Sequence, residues 1–258
     1  MTVLSERRKA YRPHGSTAVT CRRCPYFDVC GGLDTSYPLL NCFELFCPGE
    51  GMCHHVCPCQ PDFVERVEEI RGLRFDNLGE IRQMPLDLPI YIPVIHHGYR
   101  RVRLLRWPVV ALDTYECFRL HADTYTAIAT SPTNLRTGFR LHDSTRIVMR
   151  GTAKDRPLER YWAHRRRDKA PQQLAALRVL AAIGPNFSHF LGVPRTDNLF
   201  NRKRQLMCLE ELYAAGVAPI PHLNAAMPGD WHFWKQYLHD NPKLCVVAIE
   251  FQTGNKNR

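Results

Sequence analysis

The chain has 258 residues, 45% of them hydrophobic and 23% charged, which is ample for a buried core and excludes wholesale disorder. Its formal charge of +10 makes phosphate backbones the commonest acidic partner, through a salt-sensitive attraction. No run of eighteen apolar residues occurs, and the start MTVLSERRKAYRPHG lacks the apolar core of a secretion signal, so the expected compartment is the cytoplasm with no membrane association.

Residues 21–59, CRRCPYFDVCGGLDTSYPLLNCFELFCPGEGMCHHVCPC, hold eight of the eleven cysteines: Cys21, Cys24, Cys30, Cys42, Cys47, Cys53, Cys57 and Cys59. A reducing compartment favours metal binding over disulfides for such a cluster. A thiolate pair two residues apart, as in Cys21 and Cys24, grips one metal because the intervening turn brings both sulfurs to one point. Eight thiolates suffice for two four-cysteine sites, or for one site with spares; His54 and His55 could replace a cysteine, but with so many thiols their expected place is the rim of the site. A single Cys-x2-Cys unit is unlike paired zinc knuckles, and three cysteines are followed by proline (Pro25, Pro48 and Pro58), a recurring end of ferredoxin-type ligand runs. Both an iron–sulfur cluster and zinc remain open. The stretch CRRCPYFDVCGG resembles the start of the SPASM-type auxiliary iron–sulfur domain of radical SAM enzymes. The Cys-x3-Cys-x2-Cys motif of their catalytic cluster is absent; Cys53-x3-Cys57-x1-Cys59 departs from it by one residue.

Next along the chain, PDFVERVEEIRGL reads as a short helix with Phe63, Val67 and Ile70 on one face. The proline-punctuated MPLDLP at 84–89 marks a boundary between a cysteine-rich module, 1–84, and a second domain, 85–258. That domain alternates. Runs at 90–97, 107–113 and 145–151 are strands, and a helix follows with Asp155 as its expected N-cap and Pro157 in its first turn. QQLAALRVLAAIG is a helix leading into a buried strand. NRKRQLMCLEELYAAG is a helix stopped by Gly216, VAPIPHLN a strand, DWHFWKQYLHDNP a helix, and KLCVVAIEFQTG a last buried strand. Alternation of this kind predicts an α/β fold with a parallel sheet covered on both faces, arranged as a β/α barrel. About six strands are legible where a closed barrel needs eight, so the barrel is expected to be incomplete or the chain a piece of a longer one.

In parallel α/β folds function gathers at the carboxyl ends of the strands. Those positions carry His96 and His97, Asn186 and Ser188, His222 and Asn224, and Glu250 and Gln252. Glu250, between Ile249 and Phe251, needs a partner or a cavity, and desolvation would raise its pKa. It is a candidate general acid or base, with His222 as proton partner and Asn186 completing a catalytic group. Asn224 and Gln252 are candidate amide contacts to a planar ligand, joined by Arg195, Asp197 and Asn198 from the loop VPRTDNLFNRKR. Asn198, Asp155 and Asp230 are equally plausible as caps and turn formers. Two basic runs, Arg165-Arg166-Arg167 and Arg202-Lys203-Arg204, are the candidate phosphate contacts.

The segments CRRCPYFDVCGG, DRPLERYW, PNFSHFLGVPRTDN and AGVAPIPHLN together are similar to an uncharacterised bacterial family found among mobile-element and phage-associated genes. That resemblance implies a cysteine-rich start and a barrel-like body, and carries no activity. The resulting expectation is a metal- or cluster-binding α/β protein that acts on or beside nucleic acid, as a base- or nucleoside-modifying enzyme. The alternative is a non-catalytic nucleic-acid-binding component of a larger assembly of protein subunits, with a structural zinc module.

Overall fold

The computed structural model describes residues 54–57, 60–96, 103–190, 193–226 and 228–250. Cys21, Cys24, Cys30, Cys42, Cys47, Cys53, Cys59, His97 and Gln252 lie outside them. The chain divides into two compact units: Met1–Leu78, Ser188–Met207 and Ala225–Phe233 form the first, and Gly79–Phe187, Cys208–Asn224 and Trp234–Arg258 the second. The first cut thus falls at 78/79, and two later segments group with the amino-terminal part.

Among the described residues, unit 1 holds helix α1 (Phe63–Glu69), whose Phe63 and Val67 are buried together with the following Ile70, as the spacing predicts. It also holds the first part of α5 (Arg195–Ala214) and of α6 (Pro228–Asp240). Helix α5 starts six residues before the expected NRKR and is buried all round from Thr196 to Leu209.

Unit 2 is built on a parallel sheet of five strands: β1 (Val94–Ile95), β2 (Val109–Asp113), β5 (Arg146–Arg150), β6 (Ala181–Ile183) and β7 (Ala218–Ile220). They lie in that spatial order, so each strand is added on the same side of the last and the order never reverses. Helices α3 (Asp155–His164) and α4 (Ala170–Ala176) connect β5 to β6. Lys154, not Asp155, is the N-cap of α3; Asp155 sits in the first turn, where its charge still favours the positive helix end. Gly216, at φ 85°, ends α5: the Val217 N–H reaches Leu212 O and the Gly216 N–H reaches Tyr213 O, closing the orphan carbonyls of the last turn.

Three elements, a hairpin of two strands and a short helix, have no counterpart in the expected pattern. Strands β3 (Phe118–His121) and β4 (Thr124–Ala127) pair as an antiparallel hairpin. Its turn residues Ala122 and Asp123 both have positive φ, 44° and 63°, the mirror-image turn that suits strand twist but is usually signalled by glycine or asparagine. Helix α2 (Pro132–Gly138) follows, capped by the Ser131 hydroxyl, which accepts the Asn134 N–H at 3.1 Å, with proline in the first turn.

The segment KLCVVAIE differs from the expected buried strand. It joins the sheet by one parallel bridge, His222 to Ala248, with Leu223 N–H to Ala248 O and Ala248 N–H to Pro221 O, both 2.8 Å. Val247 and Ile249 are exposed, whereas Val246 and Ala248 pack inward, which is the pattern of an edge segment. Gln83 ties it down. Its Nε2 donates to Pro219 O at 2.8 Å and Val246 O at 2.7 Å, and its Oε1 accepts the Val246 N–H at 2.8 Å. Among the described residues, no pairing joins β1 to this segment. No helix among them is long and apolar enough to cross a membrane.

Candidate functional site

Side chains alternate along a strand, so residues two apart share a face. Val109, Val148, Ala181 and Ile220 form a buried cluster against which Ile183, Ala218, Val246 and Ala248 pack. These positions define one face of the unit 2 sheet. Continuing the same alternation to the carboxyl edge reaches Asp113 on β2, Arg150 on β5, His222 just beyond β7 and Glu250 beyond the bridged segment. Four polar side chains therefore stand at the same end of one apolar face.

Asn186, three residues beyond β6, joins them. Its Oδ1 accepts the Ala153 N–H at 2.9 Å, and its Nδ2 donates to Glu250 Oε2 at 3.2 Å. Only the amide oxygen can accept the backbone N–H, so Ala153 fixes the amide with its NH2 toward the carboxylate. The structure thus brings Asn186 and Glu250 into contact. Glu250 is exposed, however, not desolvated, because an edge segment leaves its end open to solvent. His222 is 3% exposed, and its pKa lies below the ordinary value: burial lowers it, against smaller opposing contributions from the Asn224 hydrogen bond and the Glu250 charge. Its imidazole is accordingly neutral near pH 7. Asn224 is anchored structurally, with Nδ2 donating to Phe187 O at 2.7 Å and its backbone oxygen accepting Trp234 Nε1–H at 2.8 Å.

Asp113 and Arg150, not singled out in the sequence, are register partners at the last rung of β2 and β5. Arg150 Nη2 donates to Asp113 Oδ2 at 2.7 Å, and Asp113 Oδ1 accepts the Tyr115 N–H at 3.0 Å. Strand-end position was a usable signal for both. On the flank, His96 Nδ1 lies 3.6 Å from Glu116 Oε1. Elsewhere in unit 2 a cavity of about 100 Å³ is lined by Cys117, Ile128, Leu135 and Phe139, with Asn134 and Glu116 as its polar groups.

The other candidates take different places. In unit 1, Asp197 accepts the Val56 N–H at 2.7 Å and stands 3.4 Å from His55 Nδ1, and Thr196 Oγ1 donates to Val56 O at 2.6 Å. Asn198 closes on Phe190 through both ends of its amide, at 3.0 and 2.8 Å. Arg195 Nη1 and Arg202 Nη2 meet Asp230 Oδ1 at 2.6 and 2.7 Å, and Asp230 Oδ2 accepts the Ala226 N–H at 2.8 Å. Arg195, Asp197, Asn198 and Asp230 therefore hold unit 1 together.

The basic run 202–204 is inside the protein. Arg202, Lys203 and Arg204 are 1%, 0% and 3% exposed. Arg202 lies over the Phe233 ring and Arg204 over Phe200, while Lys203 donates to Arg74 O and Asn77 Oδ1. In unit 2, Arg165 is buried against the Trp162 ring and paired with Glu211. Arg166 and Arg167 are exposed and ion-paired, with Glu211 and with Asp123 and Asp168. Of these six cations, two face solvent. Charge density alone cannot separate a solvated run from a buried, paired one.

Of the eight candidate metal ligands Cys57 is described, and it is buried. Among the described residues, no group of three or more His, Cys, Asp or Glu side chains is placed to hold a metal ion. Comparisons with protein-family models, curated proteins and solved structures give no match.

Proposed function

We propose that the carboxyl edge of the unit 2 sheet is the substrate site of an enzyme that modifies a base or nucleoside of nucleic acid, on a barrel-like body. The observation that carries this reading is the Asn186–Glu250 hydrogen bond above the same apolar face that holds His222, Asp113 and Arg150. The unreversed strand order supports the barrel-like arrangement, since a doubly wound sheet reverses its order at a switch point.

In this reading Glu250 is the general base. Asn186 occupies one carboxylate oxygen and leaves the other to accept a substrate N–H or O–H. A neutral His222 beside it can take up the proton and return it. The reading is tested by thermal-shift screening of nucleosides, nucleotides and short oligonucleotides against the wild type and Glu250→Gln. Ligands should stabilise both proteins, and turnover of a bound ligand should be lost in the variant. A Gln variant that turns over at the wild-type rate refutes the catalytic role.

The cysteine stretch is proposed to hold iron–sulfur or zinc, on the support of its spacing alone. Cys24→Ser should lose metal and fold stability together, because ligand binding is coupled to local folding. Metal analysis and an absorbance spectrum of anaerobically purified protein read both. Full metal content in the variant refutes the assignment.

A further inference from the structure

We infer that Arg150 is the oxyanion-binding group of this site and that its ligand carries a singly charged oxyanion, the phosphodiester of a nucleic-acid strand. The inference rests on the site reading above and specifies its substrate.

The two partners of the Asp113–Arg150 pair are unequally satisfied. Both Asp113 oxygens are engaged, one by Arg150 and one by the Tyr115 N–H, and its side chain is only 10% exposed. Arg150 is 33% exposed and, among the described residues, its side chain bonds to Asp113 alone. Its Nε is buried and has no hydrogen-bond partner among them. A guanidinium has five N–H donors in a rigid fork, and a buried donor left unsatisfied is unfavourable. Asp113 therefore orients the arginine without saturating it. The remaining donors match a planar carboxylate or the two non-bridging oxygens of a phosphodiester, which a fork meets with two parallel bonds.

Placement favours the same conclusion. Gly151, directly after Arg150, runs so close to β6 that a Cβ there would lie 2.1 Å from Ile183 O. Two residues on, Ala153 holds Asn186, which holds Glu250. One short stretch of backbone thus carries the cation and orients the carboxylate. Their strands are three sheet spacings apart, roughly 14 Å between backbone positions along a flat sheet. A ligand spanning them has an anion at one end and a hydrogen-bond donor at the other. Asp113, Arg150 and Glu250 sum to one negative charge, so a monoanion fits better than a dianionic terminal phosphate.

The test follows the Arg150 Nε–H and Asn186 side-chain amide signals by ¹H–¹⁵N NMR at constant low ionic strength, the Arg150 signal being assigned with Arg150→Lys. The probes are the dinucleoside monophosphate thymidylyl-thymidine and, separately, sodium acetate. The expected result is that the dinucleotide moves both signals and that Arg150→Lys weakens its binding about tenfold, while Glu250→Gln still binds through Arg150. A shift with acetate and none with the dinucleotide keeps the oxyanion site but overturns the phosphodiester. A dinucleotide that moves the Asn186 signal but not that of Arg150 overturns the inference and leaves the site reading standing. No shift of either signal with either probe overturns both.

Discussion

Gln83 offers the most direct test of how the fold reaches the site. It lies 136 residues from Pro219 and 163 from Val246, yet its amide makes three hydrogen bonds to their backbones and is 8% exposed. Gln83→Met keeps the length of the side chain and removes the amide. The Val246 N–H would then lose its partner, at about 1–3 kcal/mol, and each of the two carbonyls would lose a bond worth about 0.5–1.5 kcal/mol net. The sum is about 2–6 kcal/mol, or a fall in Tm of roughly 4–24 °C for a domain of this size. The effect should also reach Glu250, because Val246 anchors the segment whose alternation carries Glu250 to Asn186. Differential scanning calorimetry gives the first number. Amide hydrogen exchange at Ala248 gives the second, and should accelerate as the bridge to His222 loosens. A Tm within about 2 °C of wild type, with unchanged exchange at Ala248, would falsify the claim that this one side chain holds the edge segment.

Three further outcomes are expected. The Glu250 charge raises the His222 pKa against the larger lowering by burial, so Glu250→Gln should lower it further, as read from an NMR titration of the imidazole; an unchanged value would mean that the two groups do not interact. Burial alone would raise the Asp230 pKa, but the Arg202 and Arg195 charges and the hydrogen bonds to its carboxylate hold it well below the ordinary range. The stability this contributes is present above the unfolded value near 4 and is lost as pH falls through the lower folded value; Asp230→Ala should cost about 3–5 kcal/mol in urea unfolding at pH 7, and a loss below about 1 kcal/mol would refute the ion-pair hub. Burial, helped by the Asp113 and Glu116 charges, pushes the Cys117 thiol up to about 12, whereas Cys245 is exposed; iodoacetamide at pH 8 should therefore label Cys245 long before Cys117, and equal rates by peptide mapping would contradict that burial.

What the sequence determined by itself was local. The spacing of Phe63, Val67 and Ile70 marks the inward face of α1, Gly216 marks the end of α5, and alternating apolar runs mark a parallel sheet, because each signal depends on neighbours within a few turns or strand steps. The polar residues at strand ends were legible for the same reason. The inward parity of Val246, Ala248 and Glu250 follows from alternation, but whether that run was central or an edge depended on what lay beside it. Tertiary structure alone decided the fate of the charges. Arg202 and Lys203 read as phosphate contacts until Asp230, Phe233, Asn77 and Arg74 O arrive from distant segments to receive them. Asp113 and Arg150 become a pair only through the β2–β5 register, and Gln83 becomes a strand clamp only when two remote backbones converge on it. A buried polar group needs a partner, and the identity of that partner is a long-range property that no local pattern encodes.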